Sequence, residues 1–325
     1  MSATHRYIIR RLLQAIPAII GIITVFFILL NIAPGDAIDV LAGEAGTANP
    51  EYMERLRQLY GLDRPLYIQY LKYMWNIINL DLGFSYRHQM PVIDLIIQRL
   101  PATLLLMGSC LTLAFTIGTL LGVVAARYSG TGIDYFTTFV SLFCYSVPVF
   151  WLGLMMIILF SVKLGLLPSG GMVTLGAGYS GLAWFWDIVK HLAMPCASLA
   201  LLYMAVYTRL MRASMLEVYD SDFVRTAHAK GLSARRIAIR HVMRNALLPV
   251  VTMFGLHTAG VLGGAVVVEV VFNWPGLGRL AFDAIFARDF NLLLSICVLS
   301  SILVIIVNIA IDLIYCLLDP RIEMH

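Results

Sequence analysis

Apolar runs close to 20 residues long constrain this chain more than any other feature. A run of that length crosses a hydrocarbon core of about 30 Å at about 1.5 Å per residue. Lipid offers no partner for backbone N–H and C=O groups, so an unbroken run satisfies them only as a helix. Six runs are readable: Leu12–Ile32, Pro101–Ala126, Asp134–Val162, Ile188–Met211, Leu248–Phe272 and Leu292–Leu318. The fourth is interrupted by Pro195 and several small residues. The expected fold class is an all-α membrane protein with six transmembrane helices. It has an outer segment between helices 1 and 2 and a cytoplasmic loop between helices 4 and 5. Composition agrees: 60% of residues are hydrophobic and 13% charged, against roughly 45–50% and about 25% in a soluble domain. A soluble enzyme, a disordered scaffold and a disulfide-stapled secreted domain are excluded.

Sidedness follows from Lys and Arg near the runs. Arg6, Arg10 and Arg11 precede the first with no acid among them, and Tyr7, Ile8 and Ile9 beside them suggest an amphipathic stub along the inner surface. The loop after the fourth run carries Arg225, Lys230, Arg235, Arg236, Arg240 and Arg244, with Arg209 and Arg212 at its start. Residues 34–98 carry Asp36, Asp39, Glu44, Glu51, Glu54, Asp63, Asp81 and Asp94 against five basic residues. Both termini are therefore expected in the cytoplasm, with the acidic segment outside. The first run is too long for a signal-peptide core of about 7–15 residues and reads as a retained helix. The net charge of +4 is accounted for by basic residues at membrane edges and gives no reason to invoke nucleic acid. Cys110, Cys144, Cys196, Cys297 and Cys316 lie in or beside apolar runs without metal-ligand spacing, and read as small hydrophobes.

The outer segment is too long for a bare connection. It suggests a short helix over Glu51–Tyr60 and an amphipathic one over Leu66–Asn79. Tyr67, Tyr70, Tyr73 and Trp75 suit an interface, where an aromatic body is apolar and its tip is wet. A cap packed on helix ends and a docking surface for an outside partner both fit.

No GxxxxGK[ST], HExxH, GxSxG or TVGYG motif occurs, so neither an energy source nor a catalytic centre is evident. The informative stretch is Glu217–Pro249. It reads as a helix to Ala229, a left-handed turn at Gly231, Ser233 as N-cap, and a basic helix over Ala234–Asn245. Helix, glycine turn and basic helix make a rigid knob projecting from the membrane. Charge alone would say no more than that the loop is cytoplasmic.

Ala227-x-Ala229-Lys230-Gly231-Leu232, followed by His241, Asn245-Ala246 and Pro249, resembles the coupling loop of permease subunits in bacterial ABC importers. Arg225-Thr226-Ala227 stands where that pattern usually opens Glu-Ala-Ala, a version similar to the dipeptide/oligopeptide branch. Other stretches agree in order. They are Tyr7-Ile-Ile-Arg-Arg-Leu with Pro34-Gly35-Asp36, Tyr60-Gly61-Leu62-Asp63-Arg64-Pro65, and Asp81-Leu82-Gly83-Phe84-Ser85. Glu269-x-x-Phe272-x-x-Pro275-Gly276-Leu277-Gly278, Arg288-Asp289 and Asp319-Pro320-Arg321 complete the set. Together they resemble the first, B-type permease subunit of that branch over nearly the whole chain.

The resemblance implies an N-terminal region over residues 1–100 and a permease domain over 101–325 with its coupling loop at 213–247. It implies coupling to an ATPase through Arg225, Ala227, Ala229, Lys230, Gly231 and Leu232. The implied partners are a second homologous permease, two ATPase subunits that bind the ATP and Mg, and an outside substrate-binding protein; this chain itself would carry no cofactor and no catalysis. Peptide is the expected cargo, with glutathione, a nickel chelate or an oligosaccharide as alternatives.

Several single residues carry weight of their own. A carboxylate at mid-membrane costs about 2.5–3.5 kcal/mol and less near an interface, so Glu269 should face protein or water. It is read either as a path or gate residue or as a cap on the Asn273–Gly278 amides. Gly255, His257, Gly260, Gly263 and Gly264 join it as candidates for a path along the fifth run, with His257 as a hydrogen-bonded interior residue. Gly118-x-x-x-Gly122 and Gly260-x-x-x-Gly264 allow close helix approach. Asn308 and Asp312 share one face and should pair with a neighbouring helix. Runs two to four show no buried charges, which argues against an ion-coupled carrier; a stand-alone channel or carrier is the rival of another class.

Overall fold

The computed structural model describes residues 3–32, 54, 63–85, 87–260, 265–287 and 289–318. The expected helix over Glu51–Tyr60, Gly263, Gly264, Arg288, the Asp319-Pro320-Arg321 end and the side chains of Tyr7, Ile8, Ile9, Asp312 and Cys316 lie outside the described residues. The chain divides into two compact units, Met1–Pro101 with Gly276–His325, and Ala102–Pro275.

In the first unit, α1 (Ala3–Ile32) packs on α12 (Phe290–Leu318), as do α11 (Leu277–Phe286) and strand β1 (Phe84–Ser85). The expected stub is not separate, because α1 is helical from Ala3. α2 (Leu66–Ile78) lies against α1, and β1 pairs antiparallel with β2 (Met90–Pro91). Two stretches far apart in sequence meet here. The Ser85 hydroxyl donates to Asp289 Oδ2 at 2.6 Å, while Asp289 Oδ1 accepts the Leu292 amide at 3.0 Å and so caps α12. Asn291 Nδ2 donates to Leu82 O at 3.1 Å, and a Cβ on Gly83 would lie 2.8 Å from that nitrogen. Asn308 is exposed.

The second unit is built on two long helices, α3 (Val92–Arg127), whose larger part lies here, and α6 (Gly181–Tyr219). Gly118 and Gly122 let them touch. A Cβ at 118 would sit 2.7 Å from Met204 O, and one at 122 would sit 2.6 Å from Met211 Cβ. Leu106, Met107 and Leu111 of α3 and Leu199, Tyr207, Met211 and Met215 of α6 form the core. Pro195 does not break α6, which runs on for 39 residues, about 58 Å. The ring costs one helical bond, to the His191 carbonyl, and burial on both sides holds the rest.

Elsewhere proline and glycine do interrupt. The third run is two helices, α4 (Gly132–Ser146) and α5 (Val149–Met156, continued by a π-helical turn over Ile157–Lys163), bent by 98°. Pro148 has no N–H and pushes Val147 into extended backbone (ψ 128). The fifth run is also split. The helix α9 (Arg244–Ala259) ends at Gly260, and α10 (Val266–Val271) follows. Among the described residues, Val92–Arg127, Gly181–Tyr219 and Asn291–Ile309 are long and apolar enough to cross a membrane, or four spans if the bent pair is one; Leu13–Leu29 is shorter.

Candidate functional site

The loop between α6 and α9 is ordered helix almost throughout. α6 ends at Tyr219, two residues past the point where the sequence suggested that the knob begins. Asp220 and Ser221 turn the chain, with the Ser221 hydroxyl on Val218 O at 2.6 Å. α7 (Asp222–Ala229) follows, then Lys230 and Gly231, then α8 (Ala234–Arg236). α8 passes through a π-helical turn (Ile237–Met243) into α9 without a break. The expected separate helix ending at Asn245 is thus the first part of a longer one that carries Pro249 inside. Ser233 has the extended backbone of an N-cap (ψ 144), but its side chain makes no capping bond.

Gly231 is where the sequence placed it. Its φ is +75, and the turn is closed by Gly231 N–H on His228 O at 2.9 Å and Leu232 N–H on Ala227 O at 3.3 Å. This pair of bonds is the Schellman closure of a helix end, which favours glycine because a Cβ is disfavoured at positive φ. A Cβ at 231 would meet nothing within 4 Å, so backbone conformation alone selects glycine. Val224 and Ala227, one turn apart on α7, are buried with Ile237, Val242 and Ala246 and with Met211 and Met215 of α6. Leu232 packs on the same cluster. The knob is therefore anchored by its own apolar face to α6 and α9.

The anchoring divides the expected coupling residues. Arg225, Ala229, Lys230 and Gly231 are exposed. Ala227 is buried and Leu232 half-buried, so both support the knob from within and neither leads a contact surface. Phe223, which the sequence reading passed over, is 46% exposed on α7 among charged and polar neighbours. The available signal was an aromatic residue off the Val224/Ala227 stripe. Arg225 Nη1 lies 3.6 Å from Asp222 Oδ1 with both groups in water, worth at most about 1 kcal/mol.

Glu269 lies on α10 and is fully buried. Its Oε1 accepts the Thr103 hydroxyl of α3 at 2.7 Å, also fully buried. Five residues on, Trp274 N–H reaches Glu269 O at 2.8 Å, and its indole donates to Ala102 O at 2.9 Å. Gly171 N–H donates to Phe272 O at 2.9 Å, and a Cβ on Gly170 would lie 2.5 Å from that oxygen. Glu269 thus faces protein, its carboxylate accepting from α3 and its backbone carbonyl from the Trp274 amide in the following turn.

The other described candidates on the fifth run stand in different surroundings. His257 Nδ1 is 2.9 Å from the Tyr207 hydroxyl and stacks on Tyr203 and Tyr207, an interior role as expected. Gly255 is buried. Gly260 is exposed, and among the described residues a Cβ there would meet only carbonyls of its own helix.

Charges are buried beside the second to fourth runs, contrary to expectation. Asp134 is 2% exposed and takes a two-pronged grip from Arg212, Nε to Oδ1 at 2.6 Å and Nη2 to Oδ2 at 2.8 Å. The Gly130 amide adds a third bond at 3.0 Å. This ties the start of α4 to the end of α6, directly above the knob. At the other end of α6, ahead of the apolar 188–211 stretch, Asp187 accepts the Thr174 amide at 2.7 Å and hydroxyl at 2.8 Å. The Thr174 amide, above all, holds the Asp187 carboxyl below the usual carboxylate range. His191 Nδ1 lies 2.9 Å from Asp187 O. The sequence reading missed both pairs, because the partners lie on separate elements and no local pattern joins them.

Residues 118–324 match the family described as binding-protein-dependent transport system inner membrane component, and residues 4–107 match its N-terminal counterpart. The chain belongs to this family. It is 42% identical over 318 residues to the oligopeptide transport system permease protein AppB of Bacillus subtilis, covering 98% of this chain and 99% of that one. It is 38% identical over 335 residues to the dipeptide transport system permease protein DppB of Escherichia coli K12, covering 98% of each. Against the di/tripeptide transport system permease protein DppB of Pseudomonas aeruginosa, it is 40% identical over 331 residues, again covering 98% of each. The fold is shared with a chain of the inward-facing MetNI methionine ABC transporter, at a TM-score of 0.56 and 18% identity over 73% of this chain and all of that one. As a member of the family, the chain is an inner-membrane component, and its long apolar helices fit that place.

Proposed function

We propose that this chain is a membrane-spanning permease subunit of an ABC importer that takes up peptides. It pairs with a second homologous permease around the path. Two partner ATPase subunits bind ATP and Mg and supply the energy, a binding protein outside delivers the cargo, and this chain performs no catalysis. Residues 1–100 form its N-terminal region and 101–325 its permease domain. The chain crosses the membrane six times, both termini are cytoplasmic, and the broken third and fifth runs each count as one crossing.

The observation that carries the reading is the knob over residues 220–243. It combines an exposed basic surface, a closed glycine turn and an apolar underside welded to α6 and α9. A body of that kind transmits a push; a loop would absorb it. Arg225, Ala229, Lys230 and Phe223 present the surface to the ATPase, while Gly231, Ala227 and Leu232 hold its shape. Glu269 and Thr103 latch α10 to α3 and act as a gate support. Peptide cargo is supported by the three relatives, each a peptide-transport permease over nearly its whole length.

The test is purification of the tagged chain from its native membrane in mild detergent, followed by reconstitution. The expected result is a complex containing ATPase subunits and a second permease, which imports labelled peptide when ATP and the binding protein are supplied. A single species without ATPase, or transport that ignores ATP, would overturn the proposal.

A further inference from the structure

α2 carries more apolar surface than its packing uses. At about 100° per residue its side chains fall into three sectors. Tyr70, Tyr73 and Ile77 face the protein. The Tyr70 and Tyr73 rings lie 5.3 Å and 5.8 Å from the Phe27 ring of α1, and the Tyr70 hydroxyl is 2.6 Å from Thr24 Oγ1. Gln69, Lys72, Asn76 and the helix-ending Asn79 form a polar strip. Between these two sectors lie Tyr67, Leu71, Trp75 and Ile78, which are 67%, 62%, 66% and 67% exposed.

The end of α2 adds an independent observation. The helix closes with Leu80 N–H on Ile77 O at 3.0 Å and Asp81 N–H on Asn76 O at 2.9 Å, the Schellman pattern in which glycine is favoured. Here the residue is Leu80, held at φ +57 and 55% exposed. A bulky L-residue is strained there, and exposure of its apolar side chain to water would add to that cost.

We propose that α2 is an interfacial helix, with Tyr67, Leu71, Trp75, Ile78 and Leu80 immersed in the acyl chains and headgroup boundary of the bilayer. The contact with α1 argues for lipid over a protein partner. Thr24 and Phe27 belong to an apolar helix whose neighbouring residues Val25, Ile28, Leu29 and Ile32 are likewise exposed. A helix seated on them stands beside α1, and both helices leave apolar side chains exposed. A polar strip opposite aromatic and aliphatic anchors is the pattern of a helix lying in the plane of the interface.

The test is site-directed spin labelling of the complete importer in nanodiscs of phosphatidylethanolamine and phosphatidylglycerol, in a background free of the native cysteines. Labels go at 71, 75 and 80, with 72 and 76 as the polar strip and 28 as the reference on α1. The expected result is access to oxygen several-fold above access to a water-soluble nickel chelate at 71, 75, 80 and 28, with the ratio reversed at 72 and 76. Access to the nickel chelate at 71 and 75 would place the face in water and overturn the proposal. Exclusion of both probes there would mean that protein covers the face, and would overturn it equally. A wet label at 28 would remove the span on which the proposal rests.

Discussion

Replacing Gly231 with valine separates the shape of the knob from its surface. The position is open, so valine neither clashes nor packs. What changes is the backbone: an L-residue at φ +75 costs about 1–2 kcal/mol, and a β-branched one sits at the upper end. The two backbone bonds that close the turn resist opening by about 1 kcal/mol each net. Strain and closure are then nearly equal, and the turn opens in a large fraction of molecules, a shift of about 5–30-fold in its equilibrium. Asparagine tolerates the left-handed region, and Gly231→Asn should keep the turn closed. The assay is peptide uptake and ATP hydrolysis measured together in proteoliposomes holding equal amounts of assembled complex. Uptake per ATP should fall several-fold for Gly231→Val and stay near the parent value for Gly231→Asn. A valine variant with the parent ratio at normal complex levels would refute the claim that a closed turn carries the push.

Three further outcomes follow from buried polar groups. Glu269→Ala removes an acceptor of the Thr103 hydroxyl in a fully buried site and should destabilise by about 1–3 kcal/mol, whereas Glu269→Gln keeps an acceptor and should cost less; thermal unfolding of the complex in nanodiscs compares them, and equal losses would sink the latch. Arg212→Ala leaves Asp134 buried without its partner and should cost about 3 kcal/mol by the same measurement, with Arg212→Ala and Asp134→Ala together costing less than the sum; additive losses would deny the coupling. Asp187 has a folded pKa below its unfolded value, so its contribution is complete above about 3.9 and disappears as pH falls through the lower folded value. Hydrogen exchange at the Thr174 amide should therefore quicken on passing from neutral pH to about pH 3, beyond the intrinsic trend. Asp187→Asn should abolish that excess, and an unchanged amide in the parent would contradict the linkage.

Much of the fold was legible because lipid leaves the backbone so few choices. Apolar length located the helices, and Gly231 announced a left-handed turn that is present at φ +75. Interruptions were harder. Pro148 and Pro195 look alike in sequence, yet the chain bends by 98° at the first and the second is carried inside an unbroken helix. The difference is tertiary: Pro195 is buried in a packed helix, while Pro148 is exposed. Local signals were legible, as at the Gly231 turn. Contacts were not legible where partners lie far apart in the chain. Arg212 grips Asp134 across 78 residues, Thr103 reaches Glu269 across 166, and Ser85 reaches Asp289 across 204. Ala227 and Leu232 were read as coupling residues from the motif, and packing adds that Ala227 is buried and Leu232 half-buried.

The central claim is that the knob surface touches an ATPase, and a photo-crosslinker tests it without purification bias. p-Benzoylphenylalanine placed at Phe223 keeps the aromatic character of a residue that is 46% exposed and supports none of the turn bonds. Irradiation of intact membranes should give an adduct between this chain and an ATPase subunit, and the adduct should change in yield when ATP is trapped. An adduct to lipid alone, or none at all with the complex assembled, would contradict the account.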